Sequence, residues 1–575
     1  MGNHLSRRPG RISDDARGEG VATVLISCRC NQSLVCHRKA SRHGVTVRHW
    51  NEETPPGAAR IGPSGAGGRR KPTPGRSRRA AGDPFGDLPE ELLAMILSKL
   101  DTKQAAMTSV LSSAWRHAWE LSPRLTFDIF AISGDGYKYN PNKSCKGREE
   151  QQYRAFLGRR RYVQRFIDVV NAVLHQRLGD PVEQLELRLD VDALAQVGHH
   201  LDDWVRFAVS SQAKSVLLHV PVTRFQAASY EQHVFPLQLL DAGGGMSSLQ
   251  HVQLSHVSLK VPQSIGFLIN LRKLGLYSAW VPTNDLDRVL SNCSSLEWLD
   301  LCMVYLKDGL KVDRPLSRLK YLCLAHFRVT EIEISAIKLT TFILESRVPT
   351  HSTGFHVTSE QRMPTVSLTN VNLGEALELH SVHIHCYMLT LEHALGSLPN
   401  AFPMVQRLSL HTCIVPKLTW KPTNNPRFSR LRYLQMLFTI TDQHADNIIS
   451  VAWILEAAPF LEELDAEFIS SYYKFAGQGN LCEEPLVSSF PHGEYKYKCL
   501  KKMRVRNFIG TKSQVEVMVH IVENAPAVEV LTVDPERRHA AHIDQAKVAA
   551  LSATRRIGLE SIGKKLSAKT KFIVL

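Results

Sequence analysis

His380, His383 and His385 lie within six residues of one another, and in an extended strand His383 and His385 point to the same face. Two imidazoles hold a metal only with further ligands beside them, and the flanking residues supply none. Near the N-terminus Cys28, Cys30, Cys36 and His37 gather four ligand groups, but the Cys-x-Cys pair is too tight for the usual zinc turn. Asp190, Asp192, Asp202 and Asp203 could work as paired carboxylates; beside His199 and His200 they read better as solvated residues at a helix boundary. Cys302 and Cys323 fall where a small apolar residue is wanted, with no His or Asp partner to make a nucleophile. A phosphate loop of the form GxxxxGKS/T, a GxGxxG turn after a strand, HExxH and GxSxG are all missing. The expectation is therefore a chain without catalytic residues, metal or cofactor, whose chemistry is recognition. Trp298, Tyr321 and Tyr433, in the segments LEWL, LKYL and LRYL, are the candidate binding residues for a protein substrate, as large amphipathic anchors.

Those three aromatics sit inside a repeat. Hexads of the form LxxLxL recur at Leu249-Val252-Leu254, Leu271-Leu274-Leu276, Leu296-Leu299-Leu301 and Leu319-Leu322-Leu324, with steps of 22, 25 and 23 residues. Leu339-Phe342-Leu344 follows after 20, and looser units stand at Val182-Leu185-Leu187, Val405-Leu408-Leu410, Leu431-Leu434-Met436, Leu461-Leu464-Ala466, Leu500-Met503-Val505 and Val528-Leu531-Val533. Such steps fall in the leucine-rich-repeat range of about 20–29 residues. The LxL tail puts two side chains on one strand face, and the first apolar residue closes the turn below. An irregular α/β solenoid is expected, with a parallel sheet on the concave side and variable helices or loops outside. The position that commonly carries a ladder Asn is occupied by Val257, Ala279, Val304 and Phe327, with Cys413 the one residue that fits, so the turns should be packed by apolar groups.

A different composition precedes the repeats. Leu88-Pro89-Glu90-Glu91-Leu92-Leu93 begins a helix with Asp87 as cap and Pro89 just inside, and Leu92, Leu93, Ile96, Leu97 and Leu100 cover more than one face of it. A second buried surface is implied, hence a partner. Thr102 can cap the next helix, Lys103–Leu111, and Ser112-Ser113 separates a third segment around Trp115 and Trp119. The run DLPEELLAMILSKLDTKQAAMTSVLSSAWRHAW resembles a plant F-box: Leu88-Pro89, Ile96-Leu97-Ser98, Thr102-Lys103, Ser109-Val110-Leu111-Ser112 and Trp115-Arg116 all match. Asp101 and Ala114 depart from it, where Pro and a basic residue are common. The resemblance implies docking to a Skp-type adaptor, and through it to a cullin–RING ubiquitin ligase. It assigns that contact to Leu88, Pro89, Leu92, Ile96, Val110, Leu111 and Trp115. The segment from Cys499 to Val505, the helix Ser513–Glu523 and the strand ending at Val533 resemble the FBD region that follows the repeats in many plant F-box proteins.

The organisation expected is a disordered basic tail at 1–82, a short three-helix F-box at 83–128, a helical linker at 129–181, the repeat solenoid at 182–485, and an FBD-like unit with a basic tail at 486–575. The chain of 575 residues carries a formal charge of +15, yet residues 1–82 hold 16 Lys/Arg against 5 Asp/Glu, leaving the rest near neutral. A basic folded surface for nucleic acid is thereby excluded. Met1-Gly2 with Ser6 fits an acylation pattern and Arg69-Arg70-Lys71 with Arg76, Arg78 and Arg79 an import signal; a solvated tail accounts for both. No apolar run nears the ~20 residues of a membrane span. Eleven scattered cysteines without a CxxC point to reduced thiols in the cytoplasm or nucleus. Together these imply a non-catalytic substrate-recognition subunit of a Skp–cullin–F-box ligase; the alternative is a repeat-based binding or ligand-sensing scaffold outside ubiquitination.

Overall fold

The computed structural model describes residues 88–575 apart from 112–114, 116–117, 134–148, 178–180, 221–232, 242–247, 263–264, 305–308, 327–330, 347–370, 415–426, 441–449, 471–496, 509, 511 and 536–554. Strands run in chain order as β1 (Arg124–Asp128), β2 (Gln184–Arg188), β3 (Ser215–His219), β4 (His233–Phe235), β5 (His251–Ser255), β6 (Val257–Leu259) and β7 (Lys273–Tyr277). They continue with β8 (Trp298–Cys302), β9 (Leu310–Val312), β10 (Tyr321–Ala325), β11 (Ile332–Ile334), β12 (Thr341–Ser346), β13 (Val371–Asn372) and β14 (Ser381–Thr390). The last are β15 (Arg407–Ile414), β16 (Tyr433–Ile440), β17 (Glu463–Ser470), β18 (Lys502–Arg506), β19 (Val530–Asp534) and β20 (Lys571–Val574). Helices are α1 (Glu90–Leu97), α2 (Thr102–Met107), α3 (Ile129–Ser133), α4 (Glu149–Gln176), α5 (Val191–Ser210), α6 (Thr283–Ser291), α7 (Leu391–Ala401), α8 (Ser450–Ala457), α9 (Lys512–Asn524) and α10 (555–563).

Among the described residues fifteen strands form one parallel sheet in the order β1-β2-β3-β5-β7-β8-β10-β12-β14-β15-β16-β17-β18-β19-β20. Every LxxLxL hexad named above supplies one of them, and the rows stay in register: Leu299 lies opposite Leu274 and Leu322, and Leu301 opposite Leu276 and Leu324. These leucines are fully buried or nearly so, as are the turn-closing Leu271, Leu296 and Leu319. At roughly 1.5–3 kcal/mol for each fully buried leucine, stacking of neighbours supplies the core that no single unit could build. The core's other side is covered by α5 to α9 and by a three-stranded sheet, β13-β11-β9, that replaces helices in the middle units.

The turns leaving the strands explain how the array dispenses with ladder asparagines. His256, Ser278, Met303 and His326 each follow a strand and sit at positive φ, between 50 and 55°. Their N–H groups donate to Tyr277, Cys302, Ala325 and Glu345 carbonyls on the next strand, at 2.8, 2.8, 2.9 and 2.6 Å. A backbone ladder thus does what the side-chain ladder does elsewhere, and Val257, Ala279 and Val304, the next residues, are buried as expected. Phe327 and the Cys413 side chain lie outside the described residues.

Several boundaries need redrawing. β1 falls inside the stretch assigned to the helical module, yet it is the first strand of the sheet and pairs with β2. Residues 129–181, expected as a linker, are helical but belong to the array: Phe166, Val170 and Leu174 of α4 are buried in the main core. The basic tail at 555–571 forms α10 and leads into β20, which pairs with β19. In the helical module Pro89 is the N-cap of α1 rather than its first residue, and Asp101, not Thr102, caps α2 in a reciprocal capping box with Gln104. Residues 1–82, including Cys28, Cys30, Cys36 and His37, lie outside the described residues. Cys293, Cys323, Cys386 and Cys499 are free thiols, whereas Cys302 is disulfide-bonded, a departure from the reading of a wholly reduced chain.

Candidate interaction surfaces

The first surface is on the helical module. Helix α1 has apolar residues all round, and its fold divides them. Leu93 and Leu97 point inward at 6% and 0% exposure and pack with Ala105, Trp115 and Ala118; Leu92, Met95 and Ile96 stay exposed at 41, 56 and 39%. The next helical stretch splits the same way, with Ala105 inside and Met107, Val110 and Leu111 outside at 62, 87 and 59%. Leu88 is half-buried against this core and Pro89 is exposed. Six exposed apolar side chains spaced i, i+3, i+4 on two successive helical segments make a surface that water solvates poorly. Trp115 is the exception among the residues assigned by the motif: at 4% exposure it packs inside, so its part is to hold the face in shape.

The second surface is the face of the sheet turned away from the core. One row across it reads Lys273, Trp298, Tyr321, Thr341, Ser381, Arg407, Tyr433, each residue opposite the next. Trp298 and Tyr321 stack with ring centroids 3.4 Å apart and planes at 11°, and the Lys273 ammonium stands 5.9 Å from the Trp298 ring. Tyr433 is four strands further on and carries the Arg407 guanidinium at 4.2 Å. Burial, with the Asp465 carboxylate adding to it, pushes the Tyr433 phenol up. Of the three aromatics expected to grip a partner, two are thus brought together and the third is held apart with a cation of its own. Tyr321 also belongs to a buried cluster on the same face that the sequence did not signal: Tyr277, Cys302, Met303, Tyr321, Cys323, Ala325 and Ile343. The Tyr277 ring folds over Gly275 so that its hydroxyl donates to Asp300 at 2.7 Å. A glycine inside the LxL motif, Leu274-Gly275-Leu276, was the available signal.

Further along the same face the histidines take part in hydrogen bonding. His385 Nε2 meets the Ser409 hydroxyl at 3.1 Å, Ser409 reaches Gln435 at 3.3 Å, and His383 meets Ser381 at 3.3 Å. Burial, with Arg407 nearby, pushes His383 down to about 4. His380 sits in the preceding turn against the Glu378 carbonyl, and among the described residues no group of three or more His, Cys, Asp or Glu is placed to hold a metal. Asp190 caps α5 through Ala193 N–H, Asp192 lies in its first turn and Asp203 pairs with Arg206, so the carboxylates serve the helix. Arg506 closes the polar half, bidentate to Asp465 at 2.9 and 3.0 Å and paired with Glu467 at 2.8 Å.

Residues 173–574 match the family described as At1g61320/AtMIF1, LRR domain, and residues 85–127 match the F-box domain. The chain belongs to the At1g61320/AtMIF1 leucine-rich-repeat family. Ahead of its family repeats it carries an F-box. F-box protein At3g59000 of Arabidopsis thaliana is 23% identical over 478 residues, covering 78% of this chain and 86% of that protein. F-box/LRR-repeat protein At3g58940 is 23% identical over 484 residues, 82% of this chain and 68% of its own length. F-box/FBD/LRR-repeat protein At1g13570 is 22% identical over 454, with 78% and 91% covered. No enzyme family is among these matches. No described helix is long and apolar enough to cross a membrane.

Proposed function

We propose that this F-box/LRR chain is the substrate-recognition subunit of a Skp–cullin–F-box ubiquitin ligase. Its exposed α1–α2 face docks on a Skp-type adaptor and the open sheet face holds a protein substrate. The observation that carries the reading is the division of α1, where Leu93 and Leu97 suffice for the module's own core and Leu92, Met95 and Ile96 are left outside it. Three short helical segments bury too little to explain that surplus as internal packing. Bond chemistry then belongs to other subunits; this chain contributes effective concentration by holding a substrate lysine near a charged conjugating enzyme. The strand–helix–strand unit β18-α9-β19 is read as FBD-like, and the complex works in the cytoplasm or nucleus.

The test is co-purification of the full chain with a Skp-type adaptor, against a Leu92→Glu/Ile96→Glu variant and a Leu88→Ala/Pro89→Ala variant. Capture that the variants lose, with the fold unchanged by circular dichroism, supports the reading. No capture by the unaltered chain overturns it and leaves the sheet as a binding scaffold in its own right.

A further inference from the structure

Trp298, Tyr321 and Tyr433, the aromatic residues of the row, each have a ring face occupied. Trp298 has Tyr321 on one side and Lys273 on the other, and Tyr433 is covered by Arg407. The row therefore offers a partner two cations, each already seated on a ring. Arg124 and Lys571 stand at the two ends of the row, on the edge strands. Several basic groups on this face are neutralised by carboxylates: Arg188 by Glu186 and Asp128, Lys502 by Glu463, Arg504 by Asp534, and Arg506 by Asp465 and Glu467. Lys273 and Arg407 have an aromatic ring where those have an acid. The carboxylates between them, Asp300 and Glu345, lie below the row at 5% and 8% exposure, and Asp300 already accepts the Tyr277 hydroxyl.

We infer that Lys273 and Arg407 form a two-point anchor for an acidic segment of a partner protein laid across the strands, with Trp298 and Tyr433 as positioning residues that hold each cation. This rests on the open face being the substrate surface. The two residues stand five strand steps apart, about 24 Å at the usual strand spacing, which an extended chain spans in about seven residues. Between them Tyr321, Thr341 and Ser381 leave a strip with no charge of its own. A cation held over a ring is less hydrated and loses less freedom when a carboxylate or phosphate meets it.

The experiment uses the full chain and fluorescent extended peptides, Gly/Ser-based, with two glutamates about seven residues apart. Matched peptides carry glutamine, phosphoserine or lysine at those positions, or place the two glutamates side by side. Fluorescence anisotropy should show the spaced acidic peptides binding, salt weakening them, and the glutamine peptide about tenfold weaker. Lys273→Gln and Arg407→Gln should each weaken the glutamate peptide about threefold; Trp298→Leu and Tyr433→Leu should do so in part. Lys311→Gln, on the opposite sheet and paired with Glu333, should change nothing. Arg407→Glu should reverse the preference toward the lysine peptide. Tighter binding of phosphoserine than glutamate would identify the anion as phosphate without altering the anchor. Equal binding of glutamate and glutamine peptides, or indifference to both Gln variants, overturns the inference. If the adaptor is captured nevertheless, the ligase reading survives; if peptides discriminate without adaptor capture, the reverse holds.

Discussion

The hydroxyl of Thr102 accepts a hydrogen bond from the backbone N–H of Thr126 at 2.8 Å, and through it the F-box is joined to the first strand of the repeat sheet. Both residues are buried, at 7% and 9% exposure. β1 is an edge strand, and an unpaired edge N–H buried away from water is costly. Helix α2 covers that edge, so the F-box acts as the N-terminal cap of the array. Its orientation relative to the open face follows from that seat.

Thr102→Val should strand the Thr126 N–H and cost about 1–3 kcal/mol, whereas Thr102→Ser keeps the acceptor and should cost less. Hydrogen exchange at the Thr126 amide measures this directly. Protection should fall in the Val variant and persist in the Ser variant.

The divided helix predicts a divided mutational response. Leu92→Glu and Ile96→Glu, on the exposed side, should leave stability within about 0.5 kcal/mol while abolishing adaptor capture. Leu97→Ala should cost about 2–5 kcal/mol and Trp115→Ala about 3–5 kcal/mol, with adaptor binding lost only as the module unfolds. Denaturant titration beside adaptor pull-down separates the two classes.

Gly275 is constrained by its neighbour. A Cβ there would come within 2.9 Å of the Tyr277 ring and 3.3 Å of Gln253 Cγ, and Tyr277 cannot swing away without leaving Asp300. Gly275→Ala should therefore lower the melting temperature, by overpacking worth about 1–3 kcal/mol. In a Tyr277→Ala background the same substitution should cost much less, and a double-mutant cycle tests that coupling.

Two half-buried histidines should make the fold acid-sensitive. Burial pushes both His256 and His383 down to about 4, with Arg407 adding to the effect at His383, against an ordinary value of 6.5. Between those limits the unfolded chain binds more protons than the folded one, so stability should be full above about pH 6.5 and fall as pH drops toward 4. Each ring accounts for up to about 3 kcal/mol, less where water reaches it. His383→Gln should flatten the slope of stability against pH in that window, as read from melting temperatures at a series of pH values.

The residues alone determined the repeat. Each hexad places a buried pair on a strand and a third apolar residue under it, and a strand's period of two leaves no other face for them. Four strands escaped for local reasons. β1 begins after Ser122 and β3 after Ala213, where the turn-closing position lacks a large apolar group. β20 is short and half-exposed. β14 does obey the rule, as Leu379-Val382-Ile384, with His383 and His385 on its other face. The motif likewise showed that the F-box has more apolar surface than one short helix needs. Which leucines face out was beyond it, because Leu92 and Leu93 are the same residue type, and only docking of α1 on the 3-10 turn at Ala118–Leu121 separates them. Nor could spacing along the chain show that Lys273 would stand over Trp298 and Arg407 over Tyr433. Those pairs are 25 and 26 residues apart, and they meet because parallel register places corresponding positions of successive repeats one strand spacing apart.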